Sequence, residues 1–287
     1  MKVKFILYFF ITMSLVLFKN EAWSQPYIDL VSIRYVSSPA KTPKNKDQIA
    51  SPLNYFNFSF TAPIQFNNKK NALILSPFFE RWQTSMDSVH VFHPFHYGLV
   101  LPVSLLVPIG HSNWNLLTTA IVRMNHAVIN QYGEWQFGGY AIASYKKSPK
   151  LTYKIGVYVN GDFFGLFVIP LLGIDWQIND KESLFGVLPA SLTFEHKLNN
   201  HFYTGAVFRT FTNSYHDSGN NYMRIDENQL GIFYDIYMGK NILLNLEAGH
   251  SVFRKIRTGP HYEINNSWND QDNFYFKCMI AYRFRLR

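Results

Sequence analysis

The strongest constraint on this chain is a segment of roughly ten residues, alternating in polarity, that recurs along its length. The clearest case is residues 55–66. Its apolar residues take alternate positions: Phe56, Phe58, Phe60, Ala62, Ile64 and Phe66. Because successive side chains of a strand point to opposite faces, this pattern predicts a strand with one apolar and one polar face. Residues 151–160 and 274–285 repeat it.

The length of these segments and the chemistry of their faces indicate a membrane barrel. Alternation alone also suits a soluble sheet with one face in water. Segments of about ten to twelve residues, however, are about twice as long as a common globular strand and match a tilted membrane strand. Their apolar faces end in aromatic residues, as expected where a strand leaves lipid. We therefore predict an all-β fold, a transmembrane up-and-down antiparallel β-barrel.

Composition excludes the main rival classes. Aromatic residues make up 17% of the chain and charged residues 16%, which is unlike a disordered chain or a coiled coil. Past the signal-like N-terminus, no apolar run approaches the roughly 18 residues of a membrane helix. The single cysteine, Cys278, allows no intramolecular disulfide. Packing and backbone pairing must therefore hold an exported chain together.

The N-terminus has the features of a signal peptide. Two lysines precede an almost wholly apolar stretch at residues 5–18, and Ala22-Trp23-Ser24 offers small side chains at the two positions that a signal peptidase reads. The apolar stretch of about 14 residues is shorter than a membrane helix. We therefore predict a signal peptide at residues 1–24 and a single barrel domain at residues 25–287, located in the cell outer membrane.

The charge of the chain gives no reason to expect a nucleic-acid partner. The formal net charge is +8, and it falls to +6 without the predicted signal peptide, which holds three lysines and one glutamate. The basic residues are spread along the chain, with one small cluster at Arg254, Lys255 and Arg257. An exported protein with so diffuse a charge is not expected to bind nucleic acid. The expected partners are outer-membrane lipid, the barrel-assembly machinery and a small solute of unknown identity.

Short turns and long connections mostly alternate along the mature chain. Tight polar turns are predicted near residues 67–71, 109–113, 146–150, 178–183, 197–201 and 238–241. Longer connections are predicted near residues 37–52, 83–95, 124–134, 212–228 and 255–272. Outer-membrane barrels have this asymmetry, with short periplasmic turns and long external loops.

The predicted strand count depends on one segment. Residues 185–189 lie between two turns that are unusually close in sequence. If they form a short hairpin in the wall, the barrel has fourteen strands, and if they fold into the interior, it has twelve. Both counts are even, which places both chain ends on the periplasmic side.

Several local features support a more specific resemblance. They are the Ser24-Gln25 junction, the turn at residues 175–181, the segment at residues 184–189 and the terminal residues 282–284. In these the chain resembles outer-membrane β-barrel proteins of Bacteroidetes, in particular a family known only as a domain of unknown function. The resemblance covers essentially the whole mature chain and implies architecture rather than chemistry. One departure is that the chain runs three residues past its last aromatic residue, whereas such barrels commonly end on one.

Two kinds of histidine motif are candidate sites of chemistry. His111-Ser112-Asn113 and His250-Ser251 are similar to motifs of barrel lipases, but adjacent strand residues point to opposite faces, so a histidine base does not meet its serine. His90, His93 and His96 are expected to be interfacial histidines, because Pro94 interrupts their spacing and the run has no acidic residue.

A third motif has the groups of a water-activating dyad. His216 and Asp217 share the predicted 212–228 connection with Asp226 and Glu227, as the Asp and His groups of barrel proteases do. Two such residues are common by chance in a polar loop. We therefore predict that the chain is not an enzyme and holds no metal or cofactor.

Charged residues on the polar faces of the strands are the candidate interior site. They are Lys154, Arg209, Asp235, Glu247, Lys277, Arg283 and Arg285. In one interpretation they pair across a packed interior. In the other, Lys277, Arg283 and Arg285 form a basic wall that favours anionic solutes. On sequence alone, replacing these three by glutamine is expected to leave folding nearly intact.

The predicted function is an outer-membrane barrel that passes or binds a small solute through a polar interior. Two alternatives remain open. One is a membrane-embedded hydrolase acting on lipid or peptide, and the other is a structural or adhesin-like barrel whose external loops bind a partner.

Overall fold

A computed structural model describes residues 25–39, 52–67, 71–84, 93–110, 112–127, 135–268 and 272–286. Over these ranges the chain is all-β and forms one closed antiparallel sheet of fourteen wall strands. The predicted signal peptide lies outside the described residues. No helix in the described part of the chain is long and apolar enough to cross a membrane.

The wall strands follow one another in chain order, and three of them are interrupted. They are β1 (Tyr27–Ser38), β2 (Leu53–Phe60 and Ala62–Phe66), β3 (Asn71–Leu75 and Phe78–Thr84), β4 (Phe95–Pro108), β5 (Trp114–His126), β6 (Trp135–Ser148), β7 (Leu151–Asp162), β8 (Gly165–Gln177), β9 (Glu182–Leu188), β10 (Ser191–Lys197), β11 (Phe202–His216), β12 (Asn221–Met238), β13 (Ile242–Ser251 and Lys255–Pro260) and β14 (Phe274–Arg285). A short strand, Asn266–Trp268, pairs with the second part of β13.

Pairing of the last strand with the first closes the barrel. The register runs from Tyr27 opposite Arg285 to Ser37 opposite Phe276. Every wall strand therefore has two neighbours over at least part of its length, as a strand in lipid requires. Gly165–Leu171 of β8, next to the short β9–β10 hairpin, pair only with β7 among the described pairings. The predicted fold class is confirmed.

The segment that left the strand count open is part of the wall. β9 and β10 pair with each other from Glu182 opposite His196 to Val187 opposite Ser191, and each also pairs with its outer neighbour. Gly186 allows the close approach of β9 to β10, because its φ is +145° and a Cβ there would lie 2.3 Å from the carbonyl oxygen of Ser191. The count is therefore fourteen.

The two ends of the barrel differ as the loop lengths predict. The start of β1 at Tyr27, the end of β14 at Arg285 and six of the connections lie at one end, here called the turn end. The remaining connections lie at the other, the loop end, and those at residues 163–164, 189–190 and 217–220 are also short. Two predicted connections are wrong in whole or in part. Residues 255–260 of the predicted 255–272 connection are strand, and residues 212–228 form a hairpin whose turn spans only residues 217–220. The polar residues of this stretch pair between β11 and β12, from Thr212 opposite Asp226 to His216 opposite Tyr222.

The outer face of the barrel is apolar and carries aromatic residues near both ends. Phe58 in β2 is 43% exposed on the outer face, whereas its neighbour Asn57 is 5% exposed on the inner face, which is the phase that the alternation predicts. Exposed outer aromatics at the loop end are Tyr35, Trp135, Phe137, Phe253 and Phe274, and at the turn end Phe66, Trp114, Tyr153 and Trp176. An apolar band between two aromatic girdles is the surface of a transmembrane barrel.

Candidate functional site

Three of the candidate residues meet at one buried carboxylate, that of Glu247. Arg209 donates two hydrogen bonds to its oxygens, at 2.7 and 2.8 Å, and Lys277 forms an ion pair with it. The hydroxyl of Tyr275 donates a further bond at 2.7 Å. We call these residues the central cluster. A buried carboxylate with this many donors is stabilised in its ionised form.

Register and a glycine explain why the central cluster forms. Glu247 on β13 lies directly opposite Lys277 on β14, so the two charges meet as a cross-strand pair. Arg209 is two strands away from Glu247, across β12. Gly231 on that strand has no side chain to obstruct the contact, and a Cβ there would lie 2.2 Å from the hydroxyl oxygen of Tyr275.

A second group of candidate residues lies nearer the turn end. Arg283 donates to both oxygens of Asp29, at 2.5 and 2.9 Å, and to Asp235 at 2.7 Å. Its guanidinium carbon also lies 3.5 Å from the centre of the Tyr27 ring. Asp235 in turn accepts a bond from the amide of Asn245 at 2.5 Å.

Arg285 extends this turn-end network through the interior to β10. It forms an ion pair with Glu195 on β10 and donates to the hydroxyl of Tyr237 at 2.9 Å. Its guanidinium carbon lies 3.8 Å from the centre of the Tyr203 ring. The seventh candidate, Lys154, is apart from both groups and pairs with Asp175 at 2.6 Å.

All seven candidate residues point into the interior, and each has a partner of opposite charge. Lys277, Arg283 and Arg285 are therefore neutralised by carboxylates. This arrangement favours the interpretation of a packed interior over that of a free basic wall. Sequence reasoning missed the partners Asp29, Asp175 and Glu195, although each occupies an inward position of its strand.

The loop end of the interior is crossed by the ends of β11 and β12. Residues 211–226, here called the plug hairpin, extend beyond the end of the β10–β11 pairing and reach the far side of the wall, while residues 221–226 remain paired with the second part of β13. The backbone N–H of Ala127 donates to the carbonyl of His216 at 2.8 Å, next to a parallel pairing of His216 with His126 on β5. In a wall of fourteen strands, β5 lies nearly opposite β11. The plug hairpin therefore spans the barrel mouth.

Ser214 is the most thoroughly bonded residue of the plug hairpin, and it is fully buried. Its hydroxyl donates to Asp162 at 2.9 Å and accepts from the Gln136 amide at 2.9 Å and from the backbone N–H of Phe163 at 3.1 Å. Its carbonyl accepts from the Asn125 amide at 3.0 Å. These partners come from β5, β6 and β7, so one serine connects the hairpin to three wall strands.

The neighbours of Ser214 bind β3 and β5 in the same arc of the wall. The Tyr215 hydroxyl donates to Glu80 on β3 at 2.6 Å, and the amide of Asn213 donates to the same carboxyl group at 3.2 Å. Arg123 donates to Asn213 at 3.3 Å. Glu80 also accepts from Tyr55 at 3.0 Å. The plug hairpin is thus held by polar groups from several strands of the barrel wall.

Apolar packing and a ring contact also hold the plug hairpin in place. Residues of the plug hairpin pack with the wall in one buried cluster: Leu53, Trp82, Tyr215, Met223, Ile225 and Ile256. On the other face of the hairpin, the Arg224 guanidinium carbon lies 3.8 Å from the centre of the Phe164 ring. Asp226 pairs with Arg224 and Arg257, and Glu227 pairs with Arg254.

Two of the histidine motifs meet at the tip of the plug hairpin. Nδ1 of His93 lies 3.0 Å and Nε2 of His96 lies 3.3 Å from Oδ1 of Asp217. Burial alone would raise the pKa of Asp217, but hydrogen bonds from His96 and His93 hold that pKa below its usual range. The sequence offered no signal for this contact, since the residues are far apart in the chain.

The other motifs do not form a catalytic arrangement where they are described. Nδ1 of His250 faces the backbone carbonyl of Ser251 at 2.5 Å, and the Ser251 hydroxyl donates to the carbonyl of Asn273. His90 and His111 lie outside the described residues. Among the residues that the structure describes, no group of three or more His, Cys, Asp or Glu side chains is placed to hold a metal ion.

Three solved structures are similar to the chain at low identity. The COG4313 outer membrane channel from Pseudomonas putida F1 is 11% identical, covers 93% of this chain and 100% of its own, and has a TM-score of 0.48. The TodX deltaS2S3 mutant, a monoaromatic hydrocarbon channel, is 9% identical, covers 89% of each chain and has a TM-score of 0.43. The NanC porin is 7% identical, covers 88% and 98%, and has a TM-score of 0.41.

No curated protein sequence matches the chain. A family model, described as a domain of unknown function, DUF6268, matches residues 31–287. The match spans nearly the whole predicted mature chain. The chain therefore belongs to the DUF6268 family of unknown function.

Proposed function

We propose that the protein is an outer-membrane channel for a small solute and that the plug hairpin closes its loop end in the state described here. A solute passes when the hairpin is displaced from the mouth. The observation that supports this proposal is the polarity of the contacts that hold the hairpin. Glu80, Arg123, Asn125, Gln136 and Asp162 all belong to the wall, and water can replace the hairpin as their partner.

The number of these contacts determines how rarely the mouth opens. Ser214 makes four hydrogen bonds to the wall, Tyr215 makes one and Asn213 makes two. At about 1 kcal/mol each, these bonds alone contribute roughly 7 kcal/mol, and the apolar cluster adds to them, so the open fraction is about one in 10⁵ or less. We therefore expect the native protein to conduct only in rare events.

A shortened hairpin tests the proposal. Residues 214–224 are replaced by a two-residue Asn-Gly turn, which joins Asn213 to Ile225, its partner across the hairpin. This removes the part that crosses the mouth and keeps the pairing of β11 with β12 below it, although residues 257–260 at the end of β13 lose their partners on β12. In planar bilayers, the variant is expected to conduct steadily, at least a hundredfold more than the native protein. Arg224→Gln, which loses the ring contact and the ion pair with Asp226 but keeps the bonds of Asn213, Ser214 and Tyr215 to the wall, is the control and is expected to behave like the native protein.

A structural barrel is the second candidate, and the packing of the interior favours it. Asp235, Glu247, Lys277 and Arg283 are each at most 6% exposed, so water has little access to the centre of the barrel. If the shortened variant assembles, migrates as a folded barrel on gels and still does not conduct, the channel proposal is wrong and the structural one stands.

We infer no catalytic role for the chain. Asp226 and Glu227 are engaged in ion pairs with arginines, and as neighbours in a strand they point to opposite faces. Asp217 is held by His93 and His96 rather than facing a second carboxylate. Incubation of the native protein in detergent with phospholipid and peptide substrates is expected to give no hydrolysis.

A further inference from the structure

The turn end carries an arc of exposed lysines on the outer side of β6 to β9. Lys147 lies near the end of β6, Lys150 in the next turn and Lys181 in the turn before β9, and all three are exposed. The backbone N–H of Gln177 donates to the carbonyl of Lys150 at 2.8 Å, which holds the two turns side by side. We call these three residues the interfacial lysine patch.

Aromatic residues of the turn-end girdle adjoin this patch. Nζ of Lys147 lies 5.9 Å from the centre of the Tyr153 ring, which is on the outer face of β7. Tyr153 and Trp176 are 44% and 41% exposed, so both rings face the level where lipid headgroups begin. Beyond them toward the middle of the barrel, the outer face is aliphatic, with Ile155 and Leu172 exposed.

The patch retains a positive charge. Asp180 is the acidic neighbour, 4.0 Å from Lys150 and almost fully exposed. Glu182 faces His196 and the amide of Asn179 instead. Two of the three lysines therefore have no carboxylate within salt-bridge distance among the described residues. Since these charges lie beside a bilayer surface, their counter-charge is expected to come from the membrane.

We propose that the interfacial lysine patch binds the phosphate headgroup of an anionic phospholipid in the leaflet at the turn end. The lysines contact the phosphate, the rings of Tyr153 and Trp176 flank the glycerol region, and the acyl chains lie along the aliphatic face below. The inference depends on the barrel spanning a membrane and not on conduction. A channel that binds no lipid and a lipid-binding barrel that does not conduct are therefore distinguishable results.

Lipid retention by the purified full-length protein tests this site. Phosphatidylglycerol or phosphatidylcholine is added in detergent, and bound lipid is counted by native mass spectrometry. Each lysine near an anionic membrane surface strengthens attraction roughly fivefold, so native protein is expected to retain phosphatidylglycerol at least tenfold better than phosphatidylcholine. The variant K147Q/K150Q/K181Q is expected to lose this preference, and K147R/K150R/K181R to keep it.

Lys240→Gln is the matched control. Lys240 is an exposed lysine at the same end, in the turn between β12 and β13. Its replacement by glutamine is expected to leave lipid retention unchanged. Heat-modifiable migration on gels verifies that each variant has folded. Equal retention of the two lipids by native protein, or unchanged retention by the triple glutamine variant, would overturn the proposal. Displacement of the lipid by soluble glycerol phosphate at low concentration would also overturn it, because the site would then be one for a free phosphate.

Discussion

Replacing Arg283 by glutamine is expected to destabilise the barrel strongly. The guanidinium donates to Asp29 and to Asp235, and the Arg283 side chain is 3% exposed. A shorter, neutral side chain leaves the Asp235 carboxylate, 1% exposed, with the amide of Asn245 as a donor but no cation. Removing one partner of a buried ion pair costs about 3–5 kcal/mol, because it leaves an uncompensated charge.

A second substitution separates the uncompensated charge from the lost packing. The double variant Arg283→Gln, Asp235→Asn also lacks the carboxylate of Asp235, the more buried of the two that Arg283 contacts. Exchanging a buried ion pair for neutral groups often changes the stability little. We expect the double variant to be more stable than the single one by about 2 kcal/mol or more. The remaining loss comes from Asp29, which is 24% exposed, and from the contact between Arg283 and the Tyr27 ring.

Urea-induced unfolding in phospholipid vesicles measures these differences, followed by tryptophan fluorescence and by gel migration. Lys240→Gln serves as the surface control and is expected to stay within about 0.5 kcal/mol of the native protein. The reasoning is refuted if Arg283→Gln lies within about 1 kcal/mol of native, or if the double variant is no more stable than the single one. The same argument revises the expectation for the triple glutamine variant, which is now expected to fold poorly since Asp235 and Glu195 would lose their cations.

Four further outcomes are expected. Phe58→Lys should lower assembly yield by placing a charge in the apolar band, at a cost of about 2–4 kcal/mol. Gln65→Lys, inside the barrel near the turn end, should assemble normally. Similar yields of the two variants would contradict the assignment of outward and inward residues in β2. Deleting residues 282–287 should abolish heat-modifiable migration, because it removes pairs that close the barrel, and a folded truncation would contradict the observed closure. Tyr215→Phe should lower the free energy of unfolding by about 1–3 kcal/mol through the lost bond to Glu80, and no change in urea titration would exclude that role. Fractionation should recover the mature protein in the outer membrane, and recovery in the soluble periplasm would contradict the location.

The strands and their faces could be predicted from the sequence because they rest on a local rule. Phe58 faces outward and Asn57 inward since consecutive strand residues point to opposite faces, and no distant residue is needed to establish this. The same rule placed Glu247 and Lys277 in the interior. The even strand count likewise predicted that the first and last strands have their outer ends, Tyr27 and Arg285, at the same end of the barrel.

Partners within the interior could not be predicted in this way. Asp29 and Arg283 are 254 residues apart in sequence, and Glu195 and Arg285 are 90 apart. Which inward side chains meet depends on how the strands are staggered when the sheet closes, and that stagger belongs to the whole barrel. The sequence therefore left open whether the basic residues form a wall or pairs.

The plug hairpin shows where a local rule is insufficient. Residues 212–228 are polar and were predicted to be an external connection, because polar residues commonly face water. In the folded chain, Ser214 and Tyr215 are fully buried, and their partners are polar groups from β3, β5, β6 and β7. The sequence by itself determined that this chain alternates in polarity and closes into a barrel. Only the tertiary structure decided that residues 211–226 cross the barrel interior, because a polar side chain satisfies its hydrogen bonds equally well in water or inside a barrel whose opposite wall supplies the partners.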